Sequence, residues 1–443
     1  MAWNDMNRRV EETARLQRDG LYDAAFEHDA CGVGFVAALD GKPRRQVVEA
    51  GVDALKAVWH RGAVDADGKT GDGAGIQLQI PQDFFKQHII RTGHETGTGR
   101  LAVGMVFLPK TDLGAAEVCR AIVESEILNF GYRIFGWRQV PINSAIIGEK
   151  ANATRPEIEQ IMIANEEGVA EAQFERDLYI IRRQIEARVR DAQVADFYIC
   201  SLSCRSIVYK GMFLAEQLSA FYPDLLDERF VSNFAIYHQR YSTNTFPTWK
   251  LAQPFRMLAH NGEINTVRGN TNWMKSHEAR IGHDAFAEHL DVIKPVIPSG
   301  SSDSAALDAV FELLVHAERP VPLVKTMLIP EAVADNVDLS DEVRALYLYC
   351  NTVMEPWDGP AAIAASDGHW VIAGMDRNGL RPMRYSQTRD GLLFVGSETG
   401  MVPLAEQDLL HCGRLGPGEM IAVDLAEGHL FKDAELKEHL AAQ

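Results

Sequence analysis

Three observations predict an α+β fold in which two sheets pack face to face under a cover of helices. Apolar runs of strand length stand at both ends of the chain, at 31–39 and 76–80 on one side and at 361–366, 370–375, 392–397 and 419–424 on the other. Between them, apolar residues recur at helical spacing, as in 305–316 and 343–354. No sharp linker interrupts the chain, so residues 31–430 read as one functional unit.

Residues 1–30 differ in character. They mix charges along a weak helical period broken at Gly20, and without an apolar h-region they are not a secretory signal, so they read as a leader. The buried strand 31–39 ends at the turn Asp40-Gly41-Lys42-Pro43. Val48, Val52, Leu55, Val58 and Trp59 then trace a stripe on a helix over 47–60, which closes at His60-Arg61-Gly62. The glycine- and aspartate-rich loop 65–75 contains Gly68-Lys69-Thr70, but a Walker A loop opens a helix after a strand, and this one follows a helix and leads into strand 76–80. It also lacks the closing glutamate of a calcium loop between two helices. A backbone loop shaped for a nearby site is the better reading.

Helix and strand alternate through 81–190: helices at 82–90, 115–129 and 173–190, strands at 101–108 and 132–140, with no dinucleotide fingerprint at any junction. Strands follow at 197–203, 206–209, 234–241 and 256–260, the last running into Asn261-Gly262-Glu263-Ile264-Asn265, where a helix is expected to begin. Ser299 to Ser304 suits the start of helix 305–316, because hydroxyl and carboxylate groups accept from free backbone donors. Residues 431–443 read as a tail beyond the domain.

A net charge of -18 without any basic stripe argues against a nucleic-acid partner. No apolar run approaches the roughly 18 residues that a membrane span needs, so no membrane role is expected and the cytoplasm is the default location. The six cysteines are too scattered for a disulfide framework. In 198–204 the alternation suggests Cys200 and Cys204 on one face of a strand, with no second pair or histidine nearby to complete a metal site. No metal is expected.

Cys31 stands between small residues in Asp29-Ala30-Cys31-Gly32-Val33-Gly34, where a mature N-terminus would fall if the leader were removed. A terminal α-amine titrates near ~7.7–8.0 and could serve such a thiol as its base. The plain alternative is a buried, inert cysteine. Three polar clusters lie downstream: His238 to Asn244, His260 to Asn265, and Ser302-Asp303-Ser304. With a thiol they supply the parts for hydrolysing an amide on an amino acid. Arg240 can grip an α-carboxylate with its planar fork, and Asp303 can pair with an α-ammonium. Asn261 offers a side-chain N–H, and Gly262 a backbone N–H that no Cβ obstructs, which together would make an oxyanion hole. Each has an ordinary reading too: a surface ion pair for Arg240, a turn for Asn261-Gly262, an N-cap for Asp303.

The order Cys31-Gly32-Val33-Gly34, His60-Arg61-Gly62, Arg240-Tyr241-Ser242-Thr243, Asn261-Gly262-Glu263-Ile264-Asn265, Ser302-Asp303 resembles that of the class II glutamine amidotransferases, which are N-terminal-nucleophile hydrolases. The run from Lys56 to Gly62, the loop to Gly75 and the wide spacing from Cys31 to Arg240 resemble the glutamate synthase branch in particular. The resemblance implies a four-layer αββα sandwich and a zymogen whose propeptide 1–30 is removed to expose Cys31. It implies that the Cys31 thiolate attacks the side-chain amide of L-glutamine, releasing ammonia, and that water then hydrolyses the γ-glutamyl thioester to glutamate. Asn261 and Gly262 would hold the oxyanion, and Arg240 and Asp303 the substrate's α-groups, with Thr243 and Arg61 as further substrate contacts. It also implies a synthase region, absent from these residues, that carries FMN and a 3Fe–4S cluster and delivers ammonia to 2-oxoglutarate, with an NADPH-oxidising small subunit or ferredoxin as electron source. No flavin signature or cluster-like cysteine grouping occurs in this chain, so no cofactor is expected within it. Another class II amidotransferase, or a glutamine-binding regulatory module that never matures, are the alternatives.

Overall fold

The computed structural model describes residues 31–443 except 98, 166–167, 241–245, 287–288 and 333–338, and of residues 1–30 only Arg15 and Arg18. The expected leader 1–30, those two arginines apart, and Thr243 lie outside the described residues. The chain divides into two compact units, 1–30 and 31–443, and the sheets belong to the second.

In chain order the first strands are β1 (Gly32–Ala38), β2 (Ala74–Gln79), β3 (Leu101–Leu108), β4 (Arg133–Gln139), β5 (Glu157–Ala164), β6 (Tyr198–Ser203), β7 (Ser206–Gly211) and β8 (Phe234–Gln239). Then come β9 (Leu258–Gly262), β10 (Ala361–Ser366), β11 (Trp370–Met375), β12 (Arg384–Thr388), β13 (Leu392–Gly396), β14 (Leu409–Arg414), β15 (Met420–Asp424) and β16 (His429–Lys432). They build a seven-stranded sheet, β14-β12-β13-β1-β8-β2-β7, and a five-stranded sheet, β16-β15-β11-β10-β9. Both are antiparallel throughout.

The period of two decides how these sheets pack. On β1, Val33, Phe35 and Ala37 face the second sheet and join Phe234 and Ile236 of β8 in one buried cluster with Ala362 and Ala364 of β10 and Val371 and Ala373 of β11. The alternate residues Val36 and Ala38 face outward, in the cluster that holds Val48, Val52 and Leu55 of helix Arg45–Ala57. The five-stranded sheet behaves likewise. Its outer residues Ile363, Ala365, Ile372 and Ala422 pack under Leu307 and Val310 of helix Asp303–His316, Val324 and Leu328 of helix Val321–Leu328, and Leu436 and Leu440 of helix Asp433–Ala441. The result is the expected αββα sandwich. Strands buried on both faces read as continuous apolar runs, which is why 31–39 is legible as a strand.

Three expectations need correction. Residues 431–443 are no tail: β16 pairs with β15, and helix Asp433–Ala441 is buried through Leu436 and Leu440 while its Asp433 accepts the Met420 N–H at 2.8 Å. Cys200 and Cys204 do not share a face. The pairing of β3 with β6 shifts between Met105 and Val106, whose partners are Ser201 and Ile199, so Cys200 is an extra residue in a bulge that reverses the alternation. Cys200 accordingly packs in the core beneath β7, and Cys204 in that of helices Leu113–Asn129 and Glu171–Asp191. Finally, the polar run after β9 stays extended to Gly262, and the helix starts only at Val267. The region 81–203 also forms something the alternation leaves unspecified, a separate four-stranded sheet β4-β5-β3-β6, in which β5 has no counterpart among the expected strands.

Candidate active site

The two sheets meet at the start of β1 and the end of β9. Asn261 belongs to the inward-facing set of β9 along with Ala259, and its carboxamide bonds the Cys31 main chain twice. The Cys31 N–H donates to Asn261 Oδ1 at 3.3 Å, and Asn261 Nδ2 donates to the Cys31 carbonyl at 2.9 Å. A carboxamide nitrogen carries two hydrogens, so one donor is used here and a second is left over. Cys31 is half-buried, yet desolvation of the sulfur pushes its thiol up to about 12. The charge of Arg240 works against this, as does Arg381, while Asp72 and Asp303 add to the rise. With the peptide bond to Ala30 intact the thiol is therefore protonated at neutral pH and needs a base to become a nucleophile.

β9 is the edge strand of its sheet, and strand alternation sorts its main-chain groups. The 257 carbonyl accepts from Ser366 and the 263 N–H donates to the Pro360 carbonyl, both toward β10, so residues 258, 260 and 262 point their N–H groups to the outer edge. Side chains meet the first two. Asp308 accepts from the Arg256, Met257 and Leu258 N–H groups at 3.2, 2.9 and 3.0 Å, and Gln253 Oε1 accepts from His260 at 2.7 Å. Gly262 is the third, beside Asn261. Its φ of 151° and its crowding by Pro360, whose carbonyl oxygen would sit 1.7 Å from an added Cβ, admit only glycine.

The remaining candidates gather around this pair. Arg240 follows β8 directly with φ at 93°, a region that costs a non-glycine residue ~1–3 kcal/mol. Its N–H donates to Gly73 of the glycine-rich loop at 2.9 Å. That loop also carries Asp72, so it does border the site, as its sequence suggests. Asp303 opens helix Asp303–His316, buried, and accepts the Ile264 N–H through Oδ2 at 2.9 Å, while the capping role falls to Ser302, whose Oγ accepts from Ala305 at 3.1 Å. Arg61 is placed differently from the rest: its Nε donates to Glu398 at 2.6 Å, beside the His60–Glu398 contact at 2.9 Å.

Two histidines support the framework. His238 Nε2 donates to the His260 carbonyl at 3.1 Å, and His260 Nδ1 bonds Ser304 Oγ at 2.7 Å. Burial drives His238 down to about 3 and lowers His260 as well, so both imidazoles are neutral at pH 7 and act as scaffold. Sequence reasoning misses Asp72, Gln253, Asp308, Arg381 and Glu398. Asp72 sits in a loop that stands out for its composition, and nothing in their local sequence marks the others.

Comparison with known proteins shows the family. The chain matches the glutamine amidotransferases class-II family over residues 31–443. It is 67% identical over 428 residues to the glutamate synthase (NADPH) large chain of Azospirillum brasilense, covering 97% of this chain and 28% of that one. It is 45% identical over 419 residues to ferredoxin-dependent glutamate synthase 2 of Synechocystis, covering 94% of this chain and 27% of the relative, and 43% identical over 428 residues to the Bacillus subtilis glutamate synthase (NADPH) large chain, covering 96% and 28%. The chain thus spans little more than a quarter of these relatives. Among the described residues no helix is long and apolar enough to cross a membrane.

Proposed function

Because the chain belongs to the class II glutamine amidotransferases, we propose that it is the glutaminase part of a glutamate synthase, hydrolysing L-glutamine through a Cys31 γ-glutamyl thioester. The paired hydrogen bonds between Asn261 and the Cys31 main chain carry this reading, because they set an N–H donor beside the one thiol that could also bear an α-amine. That the compact unit and the family match both begin at Cys31 supports cleavage of the Ala30–Cys31 bond.

In the processed chain the Cys31 nitrogen is an amine, next to Asn261 Oδ1. Unprotonated, it takes the thiol proton, directly or through water, and the resulting thiolate attacks the γ-amide carbon of glutamine. The second Asn261 Nδ2 hydrogen and the Gly262 N–H receive the oxyanion, each donor contributing on the order of 10²–10³ in rate. The amine returns the proton to the leaving nitrogen, ammonia departs, and water hydrolyses the thioester by the reverse route. The Arg240 guanidinium takes the substrate α-carboxylate and Asp303 the α-ammonium. Thr243 and Arg61 would serve as further substrate contacts.

Ammonia would pass to 2-oxoglutarate in a synthase region outside these residues, with electrons from an NADPH-oxidising subunit or from ferredoxin. The residues present do not fit a 3Fe–4S cluster, which is held by grouped cysteine thiolates. Cys119 and Cys350 are buried on different helices, Cys200 in β6 and Cys204 just after it are buried in two different cores, and Cys412 is exposed on β14. The test is ammonia release from glutamine by the chain starting at Cys31. Activity is expected there, lost in Cys31→Ala while glutamine still binds; hydrolysis by a chain with its leader fully intact would overturn the amine-as-base mechanism.

A further inference from the structure

Gln253 lies outside every motif that points to the site, in the connection between β8 and β9, and is almost wholly buried at 1% exposure. Its carboxamide makes two bonds to a single residue of the edge strand. Oε1 accepts from the His260 N–H at 2.7 Å, and Nε2 donates to the His260 carbonyl at 3.3 Å. In an extended strand one residue's N–H and C=O point the same way, so a primary amide can satisfy both as a neighbouring strand would. An edge strand has no such neighbour on that side. We propose that Gln253 is a positioning residue, a one-residue substitute strand that fixes the outer edge of β9 and so aims the Asn261 and Gly262 donors at the oxyanion.

Closeness along the chain links the amide to the donors. His260 immediately precedes Asn261, and the register of β9 on β10, Asn261 opposite Ala362 and Gly262 opposite Ala361, secures only the inner edge. On the outer edge Asp308 holds residues 256–258, and Gln253, helped at the carbonyl by His238 Nε2 at 3.1 Å, holds 260. Without the amide the His260 N–H loses its acceptor in a buried place, and the outer edge next to Asn261 and Gly262 keeps only the His238 bond to the His260 carbonyl. A shift of about 1 Å in catalytic donors costs on the order of 10²-fold in rate. The donors act mainly on the tetrahedral state, so the loss falls on catalysis more than on substrate capture.

The inference rests on the glutaminase reading, and the experiment keeps the two separable. Glutamine hydrolysis by the unsubstituted chain processed to Cys31 is measured first; if there is none, it is the glutaminase reading that fails. Given activity, Gln253→Met, similar in length and unbranched, is expected to lower kcat by roughly 10–100-fold. Glutamine affinity, compared by calorimetry in the Cys31→Ala background with and without Gln253→Met, is expected to agree within about 2-fold, and so is the rate of Cys31 alkylation by iodoacetamide, compared in chains that keep Cys31. Gln253→Glu keeps the acceptor for the His260 N–H and is expected to fall between the two. An unchanged kcat in Gln253→Met overturns the proposal. So does a parallel loss of glutamine affinity and kcat, or failure of both variants to fold, since either would assign Gln253 to general stability.

Discussion

Replacing Gly262 by alanine perturbs the proposed oxyanion donor by a single methyl group. The added Cβ would stand 1.7 Å from the Pro360 carbonyl oxygen and 2.9 Å from His260 Nε2. Real contacts of this kind are not shorter than 3.0 Å, so strand end and loop must separate by more than 1 Å. The Pro360 carbonyl cannot retreat freely, because it accepts the Glu263 N–H at 2.9 Å. Gly262 also has φ at 151°, where a side chain adds strain of about 1–3 kcal/mol. With overpacking of similar size, the cost to stability is about 2–6 kcal/mol. A donor moved by about 1 Å predicts a loss of roughly 10²-fold in kcat or more. The assay is ammonia release by the processed chain, with glutamine affinity from calorimetry and a thermal scan of the same sample. The expected outcome is a folded protein with a lowered melting midpoint that still binds glutamine and turns it over at least about 100-fold more slowly. A Gly262→Ala enzyme that melts lower but keeps kcat within about threefold would refute the donor role and leave only a steric one.

Other consequences follow from the same geometry. Arg240→Ala removes a charge-assisted fork of about 1.5–3 kcal/mol, so KM for glutamine is expected to rise roughly 10–100-fold with a smaller change in kcat; an unchanged KM would remove Arg240 from the site. The Cys31 thiol, pushed up to about 12 by burial while the leader is attached, is expected to alkylate slowly through pH ~10 and to speed up markedly once the α-amine is exposed, followed by mass of the Cys31 peptide. Burial raises the pKa of Glu186, but Arg182, Arg256 and Arg183 outweigh it and bring it down to about 2. That value is below the ~4.3 of an unfolded glutamate, so this group stabilises the fold fully above ~4.3 and the contribution is lost as pH falls through about 2. Glu186→Gln is expected to lower the melting midpoint at pH 7 and to flatten its decline across that window. Parallel curves for the two proteins would contradict the assignment.

Whatever depends on neighbours along the chain is written in the sequence. Alternation and helical period place β1, β3, β10 and the helices around 45–57 and 303–316, because burial of one face imposes a local pattern on residue types. The same reading marks Cys31, Arg240, Asn261, Gly262 and Asp303, whose chemistry is specialised enough to stand out in short motifs. Tertiary structure decides whatever depends on partners far away. The bonds between Cys31 and Asn261 join residues 230 apart, and Arg61 meets Glu398 across 337, separations at which no local propensity carries information. The bulge at Cys200 is set by the pairing with β3, which alternation within β6 cannot reveal. The helix 433–441 has a polar composition, and only packing shows which of its residues are covered. Gln253 illustrates the difference most directly. As a residue type it is ordinary, and only the bare outer edge of β9 makes its amide a structural partner of the site.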